Sequence, residues 1–352
     1  MLNPNLLREN AKSLNFNLDT KENKRLIILS EITTANRASF AEDVQKGLLN
    51  QPKFLLPKYF YDSYGSELFI KITQTTEYYP TKVEKLILKT YASEMVSICK
   101  KVDVLVELGS GSSEKTETIL KQFHQNRGTF QYIPVDVSDI IIESSKDLLE
   151  RYDNLYITSI ISEYEKGLEL VSNLERKGKL FLFLGSSIGN FNPSEIEAFL
   201  KSVRNAMQAD DFLLIGFDLV KDHHVLNAAY NDSQGITREF NLNILRRINM
   251  ELNANFDLSK FIHSAFYNEE KSRVEMHLVS QQDQLIRIDK LDKKIKFKKG
   301  ESIHTENSYK FTDMMIYSYA QRAGLEALKM WTDPQNYFAL TLFRPANTTY
   351  SS

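Results

Sequence analysis

Val102-Asp-Val-Leu-Val-Glu-Leu-Gly109-Ser-Gly111-Ser-Ser-Glu-Lys-Thr116 is the stretch on which the fold turns. Its first seven residues, Val102 to Leu108, are apolar and β-branched and predict a buried strand. Gly109 and Gly111 break that strand, and the polar residues that follow predict a helix opening near Ser113. Strand, glycine turn and helix begin a nucleotide-type α/β unit, in which glycine lets the backbone approach a ligand and the helix offers unpaired N–H groups. The third glycine of a dinucleotide turn is missing, since Ser113-Glu114 stand in its place. A single Gly-x-Gly preceded by Glu107 suits a sulfonium amino-acid cofactor better than a pyrophosphate.

Downstream, Phe130 to Val135 predicts a second strand that ends in Asp136, about 25 residues beyond the glycine turn. A carboxylate there is placed to accept hydrogen bonds from both ribose hydroxyls. It could equally cap a helix opening near Ser138. Further strands are expected at Leu155–Ile160, Lys179–Leu184 and Phe212–Phe217, with helices from Tyr164 and Pro193 between them. Such alternation implies a parallel sheet with right-handed crossovers, whose ligands bind beyond the carboxyl ends of the strands. Those ends carry Gly109, Asp136, Glu163-Tyr164, Gly185 to Asn190, and Asp218.

After Asp218 the alternation stops. Residues 223–252 read as helical, and Phe261–Tyr267, Arg273–Ser280, Leu285–Ile288 and Lys294–Phe297 as short antiparallel strands, which makes an inserted lobe. A helix from Asp313 and strands at Leu325–Trp331 and Tyr337–Phe343 return to the main sheet. The expected organisation is therefore residues 1–80 contributing to the substrate lobe, 81–218 as the cofactor-binding core, 219–310 as the inserted lobe and 311–352 completing the core. Within the first segment, residues 1–24 are polar and without periodicity, Ala38–Leu49 reads as an amphipathic helix, and Gly65-Ser66 reads as a turn into a helix at Glu67–Thr73. Tyr59, Phe60, Tyr61, Tyr78 and Tyr79 bracket that helix, as a lid over a pocket or as core packing.

The composition of the 352 residues sets bounds on function. Hydrophobic residues make up 42% and charged ones 26%, which is ordinary for a globular chain. With 44 basic against 46 acidic residues, net charge −2, nothing favours electrostatic capture of nucleic acid or an anionic membrane. The lone Cys99 excludes an internal disulfide and a thiolate metal cluster. No charged-then-apolar leader opens the chain and no apolar run nears about 20 residues, so a reducing cytoplasm is the expected location. The six histidines are scattered, and the pair His223-His224 reads as a surface helix, so no metal is expected.

Five separated motifs carry a resemblance. Tyr61-Asp-x-x-Gly65-Ser-x-Leu-Phe69, Glu77-Tyr-Tyr-Pro-Thr81, Glu107-Leu-Gly-Ser-Gly-x-Ser-Glu-Lys-Thr116, Gly185-Ser-x-Ile-Gly-Asn190 and Thr305-Glu-x-Ser-x-Lys-Phe311 together resemble the histidine-specific methyltransferases of ergothioneine biosynthesis, the EgtD family, from about Pro57 to Arg344. The resemblance implies a Rossmann-like class I methyltransferase sheet with a smaller α+β substrate-binding lobe. It implies S-adenosyl-L-methionine as cofactor and the α-amine of L-histidine as acceptor, methylated three times to hercynine. The chain is expected to act on this small molecule as a monomer.

By the same resemblance Gly109, Gly111, Lys115, Asp136, Glu163 and Tyr164 bind the cofactor, with Lys115 on its carboxylate and Asp136 on its ribose. Tyr61, Tyr78, Asn190, Tyr230, Met276, Glu306 and Ser308 line the amino-acid pocket, and Tyr61, Asn190 and Tyr230 are the catalytic candidates. Asn190 and Tyr230 would anchor the substrate carboxylate. The family usually has aspartate and phenylalanine where Glu163 and Tyr164 stand here, which weakens the transfer at those two positions. Glu306 and Ser308 alternate along an extended segment, so they share a face on which a carboxylate and a hydroxyl can hold an imidazole edge. A sibling enzyme acting on a tryptophan derivative would leave Glu306 badly paired. Against a catalytically silent cofactor-binding regulator, the alternative from a different class, stand Lys115, Asp136, Asn190 and Tyr230, all present together. Nucleic-acid methylation lacks a basic segment to support it.

Overall fold

The computed structural model describes residues 10–19, 25–31, 36–174 and 178–346. Its contacts divide the chain into two compact units, one of residues 1–32, 83–219 and 311–352, the other of residues 33–82 and 220–310. Strands are numbered β1 to β15 in chain order.

The first unit is built on a nine-stranded sheet. Its strands are β1 (Phe16–Asp19), β2 (Leu26–Glu31), β4 (Val102–Leu108), β5 (Phe130–Asp136), β6 (Leu155–Ile161), β7 (Gly178–Phe183), β8 (Phe212–Asp218), β14 (Leu325–Thr332) and β15 (Phe338–Pro345). They lie in the order β1-β2-β6-β5-β4-β7-β8-β15-β14. From β2 to β8 the neighbours are parallel, and β1, β15 and β14 pair antiparallel. The chain moves outward from β4 through β5 and β6 on one side and through β7 and β8 on the other, so β4 and β7 flank the topological switch, where open α/β sheets bind ligands. Leu105, Leu120, Phe123, Tyr132, Leu182, Leu214 and Leu340 are buried together in its core.

Three expectations are corrected in this unit. Residues 1–80 do not act as one piece. Phe16–Asp19, read as part of an aperiodic segment, is an edge strand, and β1 and β2 extend the main sheet, because Leu26–Ser30 pair in parallel with Ile157–Ile161. The Arg25 guanidinium reinforces that edge by donating to the carbonyls of Leu149 and Tyr152 at 2.9 and 2.7 Å. Residues 1–9 and 20–24 lie outside the described residues. Finally, the helix after the glycine turn spans Glu117–Asn126 instead of opening at Ser113. Positive φ at Gly109, Gly111 and Ser113 keeps the chain coiled for one more turn before a helix can propagate.

The second unit holds a four-stranded sheet in the order β3 (Lys53–Phe54), β13 (Ser302–Tyr309), β10 (Arg273–Ser280) and β9 (Phe261–Asn268), and a hairpin of β11 (Gln284–Ile288) and β12 (Lys293–Phe297). The helices Asn36–Leu49, Ser63–Gln74, His223–Ala229 and Ile236–Leu252 belong to it. The third of these carries the exposed pair His223 and His224. Gly65-Ser66 is not a turn into a helix but part of its first turn, because Asp62 caps the helix and accepts the Gly65 N–H at 2.7 Å. A Cβ at Gly65 would stand 1.7 Å from the Phe60 carbonyl oxygen, so only glycine fits.

Candidate active site

In the sheet unit, the expected cofactor residues gather at the carboxyl ends of β4 to β7. Gly109 has φ +69°, and a Cβ there would meet the Tyr164 hydroxyl at 2.8 Å. This close approach assigns Tyr164 a place over the turn, with its ring edge against Phe183 and Phe199. Asp136 does both of the things open to it in sequence. Its Oδ1 accepts the Ser138 N–H at 2.9 Å, as a cap would, and its Oδ2 accepts the Gly111 N–H at 2.9 Å. The carboxylate thus ties the second strand end to the glycine turn. Burial pushes its pKa up, against the pull of the two N–H groups.

Glu163 is the exposed residue that precedes the helix Tyr164–Ser172. Asn190 ends a short helical turn, Ser187–Asn190, in the loop after β7. Lys115 pairs with Glu84 at 3.1 Å, and the other Glu84 oxygen accepts the Gly185 N–H at 2.7 Å. Glu84 lies in the helix Pro80–Ile98 and is fully buried. The sequence reading missed it because the partners stand 31 and 101 residues away. Glu107, read as a cofactor cue, serves the scaffold behind the turn. Its two oxygens accept from Thr116 and Tyr132, and burial raises its pKa to about 7.

In the second unit, the expected pocket residues form two groups. Tyr61 and Tyr78 both set an edge against Phe69, at 5.6 and 6.2 Å between ring centres, and Tyr78 meets Tyr230 at 6.4 Å. The five-membered aromatic lid does not assemble as such. Phe60 is wholly buried, Tyr59 packs on Phe40 with its hydroxyl on Asp43, and the Tyr79 hydroxyl accepts from Lys221.

The other group stands on β13 and β10, where Met276 is the pairing partner of Glu306 and Val274 that of Ser308. Glu306 is 8% exposed, and among the described residues its carboxylate accepts no hydrogen bond. Burial raises its pKa to about 7, while nearby Lys310 pulls it down. Ser308 Oγ accepts the Tyr230 hydroxyl at 2.7 Å and the Lys310 ammonium at 2.8 Å. Tyr230, expected on the substrate carboxylate, here donates its hydroxyl proton to Ser308.

One grouping was not legible in the linear order of the histidines. Donor atoms of Glu275, His277 and His304 lie within 4.8 Å of one another on the paired strands β10 and β13. They already serve their neighbours. Arg273 Nε and Nη2 hold Glu275 Oε1 at 2.9 and 2.7 Å, His277 Nε2 lies 3.2 Å from Glu275 Oε2, and His304 Nε2 lies 2.9 Å from Asn307 Oδ1.

A Rossmann-like sheet with a glycine turn and an acidic second strand end at the switch point is the frame of a nucleotide-type cofactor site, here of the class I methyltransferase type. The chain belongs to the family of histidine-specific, S-adenosylmethionine-dependent methyltransferases, whose model matches residues 40–345. It is 39% identical to the histidine N-alpha-methyltransferase of Mycobacterium tuberculosis over 310 residues, covering 88% of this chain and 95% of that one. It is 40% identical to the enzyme of the same name from Mycolicibacterium smegmatis over 301 residues, 85% and 93% of the two chains. A more distant relative, the L-tryptophan methyltransferase of Psilocybe serbica, is 27% identical over 334 residues, 86% and 92%. Among the described residues no helix is long and apolar enough to cross a membrane.

Proposed function

We propose that this protein methylates the α-amine of L-histidine three times, with S-adenosylmethionine as donor, and releases hercynine. The observation that supports it best is the largely buried Glu306 carboxylate, which among the described residues accepts no hydrogen bond and feels the charge of Lys310, on one face of β13 with Ser308, a pair suited to an imidazole edge. A purely apolar ring would leave that carboxylate unpaired, at a cost of about 1–3 kcal/mol. The residues of the sheet unit fit the cofactor: Gly109 and Gly111 keep the turn free of side chains, Lys115 suits the cofactor carboxylate, Asp136 the ribose, and Glu163 with Tyr164 the adenine end.

The bound cofactor supplies an electrophilic methyl group on sulfur. The protein's work is alignment, because an in-line displacement by an amine lone pair needs neither a metal nor a nucleophilic side chain. Asn190 is assigned to the substrate carboxylate. Tyr61 and Tyr78 offer aromatic faces to the amine, and such faces still attract the nitrogen once it is a fixed cation without N–H groups.

Timed mass spectrometry with L-histidine tests the proposal. Mono-, di- and trimethylated histidine should appear in turn and end at the trimethyl form, and Glu306→Leu should impair histidine and admit larger aromatic amino acids. A product that stops at one methyl, or carries it on the ring, overturns the mechanism. Wild-type preference for tryptophan or tyrosine overturns the reading of Glu306.

A further inference from the structure

Glu306, Ser308 and Lys310 alternate along β13 and its end, so all three side chains leave the same face. Lys310 is fully buried. Its ammonium donates to Ser308 Oγ at 2.8 Å and to the Tyr230 hydroxyl oxygen at 3.1 Å, and the Tyr230 hydroxyl in turn donates to Ser308 Oγ at 2.7 Å. A serine hydroxyl has two lone pairs and one hydrogen. Both lone pairs of Ser308 are therefore engaged, and what it has left to offer is its hydrogen.

We infer that Lys310 is a specificity-determining positioning residue, which with Tyr230 commits Ser308 to act as a donor and makes the pocket select a ring with one N–H and one acceptor nitrogen. This deepens, and rests on, the reading of Glu306 and Ser308 proposed above. Glu306 supplies an acceptor for the ring N–H, and Lys310 favours its ionised form. Ser308 supplies a donor for the unprotonated nitrogen. The pair is thereby matched to neutral imidazole in a single tautomer. Imidazolium, with two N–H groups, and pyrrole, with no acceptor, each leave Ser308 mismatched. Without Lys310 one lone pair of Ser308 is released, and its hydroxyl can turn to suit either kind of ring edge.

The test is calorimetry in the presence of S-adenosylhomocysteine, comparing L-histidine with β-(pyrrol-3-yl)alanine, which keeps a ring N–H and has C–H in place of the acceptor nitrogen. Wild type should prefer histidine by about ten- to a hundredfold. Lys310→Met should bring the ratio down to a few-fold, and Lys310→Arg, which keeps the charge and the donors, should restore most of it. Should Lys310→Met fail to fold, Tyr230→Phe releases the other lone pair and should relax the ratio in the same direction. A full wild-type ratio in either folded variant overturns the role of Lys310. The underlying pocket reading is checked apart from it by Ser308→Ala. Loss of discrimination in Ser308→Ala with none in Lys310→Met leaves the pocket standing and removes Lys310, whereas a wild-type ratio in Ser308→Ala removes the pocket reading itself.

Discussion

Replacing Asp136 by alanine separates its structural contribution from its contact with the ligand. The carboxylate accepts one N–H from the glycine turn and one from the start of the next helix, each at 2.9 Å, and in the proposed complex it also accepts from the ribose. A hydrogen bond to a charged group contributes about 1.5–3 kcal/mol. Folding gains less than the sum of the two internal bonds, because the raised pKa means that burial of the charge offsets them. The free protein should therefore lose only about 1–2 kcal/mol of stability. The complex loses the ribose contact outright and a turn geometry besides, so affinity for S-adenosylhomocysteine should fall by about ten- to a hundredfold. Titration calorimetry on wild type, Asp136→Ala and Asp136→Asn measures this, with the asparagine variant in between. In wild type the affinity should also decline on acidification, starting above the ordinary aspartate range, since the protonated group loses acceptor strength. A folded alanine variant that binds the demethylated cofactor as wild type does would falsify the placement of the ribose.

The other expectations are briefer. Gly65→Ala drives a Cβ into the Phe60 carbonyl, and the backbone there cannot yield, so thermal unfolding should show a loss of at least about 1–3 kcal/mol. Gly128→Ala, where a Cβ meets nothing within 4 Å, should stay within about 0.5 kcal/mol of wild type, and equal effects at both sites would contradict the contact. Glu107 carries a folded pKa raised from 4.5 to about 7, so its contribution to stability is present below pH 4.5 and is lost as pH rises through 7. Urea unfolding at pH 5 and pH 8 should show Glu107→Gln gaining on wild type by up to about 3 kcal/mol over that interval, and a pH-independent difference refutes the assignment. Finally, the reacting amine must shed its proton, so kcat/KM for histidine should climb between about pH 7 and pH 9, against which a flat profile would count.

What was legible in the chain follows the range of the interactions involved. Val102–Leu108 and Arg273–Ser280 are strands over the same residues as expected, because a buried parallel strand and a half-buried antiparallel one each write their burial into consecutive side chains. Leu26–Glu31 is as apolar as many strands, yet its place is decided by pairing with β6 about 130 residues on, which no local period records. The same limit hid Glu84, whose partners Lys115 and Gly185 belong to other elements, and the approach of His277 to His304 across two strands.

The motifs that carry the family resemblance mix two kinds of necessity. Gly65 is required because of the Phe60 carbonyl, Asp62 because it caps the helix and holds Asn243 at 2.8 Å, and Glu107 because it binds Thr116 and Tyr132 behind the turn. None of these needs a ligand to explain it. Glu306 does, because among the described residues nothing donates a hydrogen bond to its largely buried carboxylate. Lys310, two positions beyond Ser308 in the same motif, has no role of its own that the linear sequence assigns. Its burial against Ser308 and Tyr230 turns it into the residue that decides which hydrogen-bonding role Ser308 can play. Substrate choice in this family is accordingly to be sought in the partners that orient the pocket hydroxyl as well as in the groups that touch the ring. A change of Lys310 at constant Glu306 and Ser308 should alter which ring is accepted while leaving cofactor affinity unchanged.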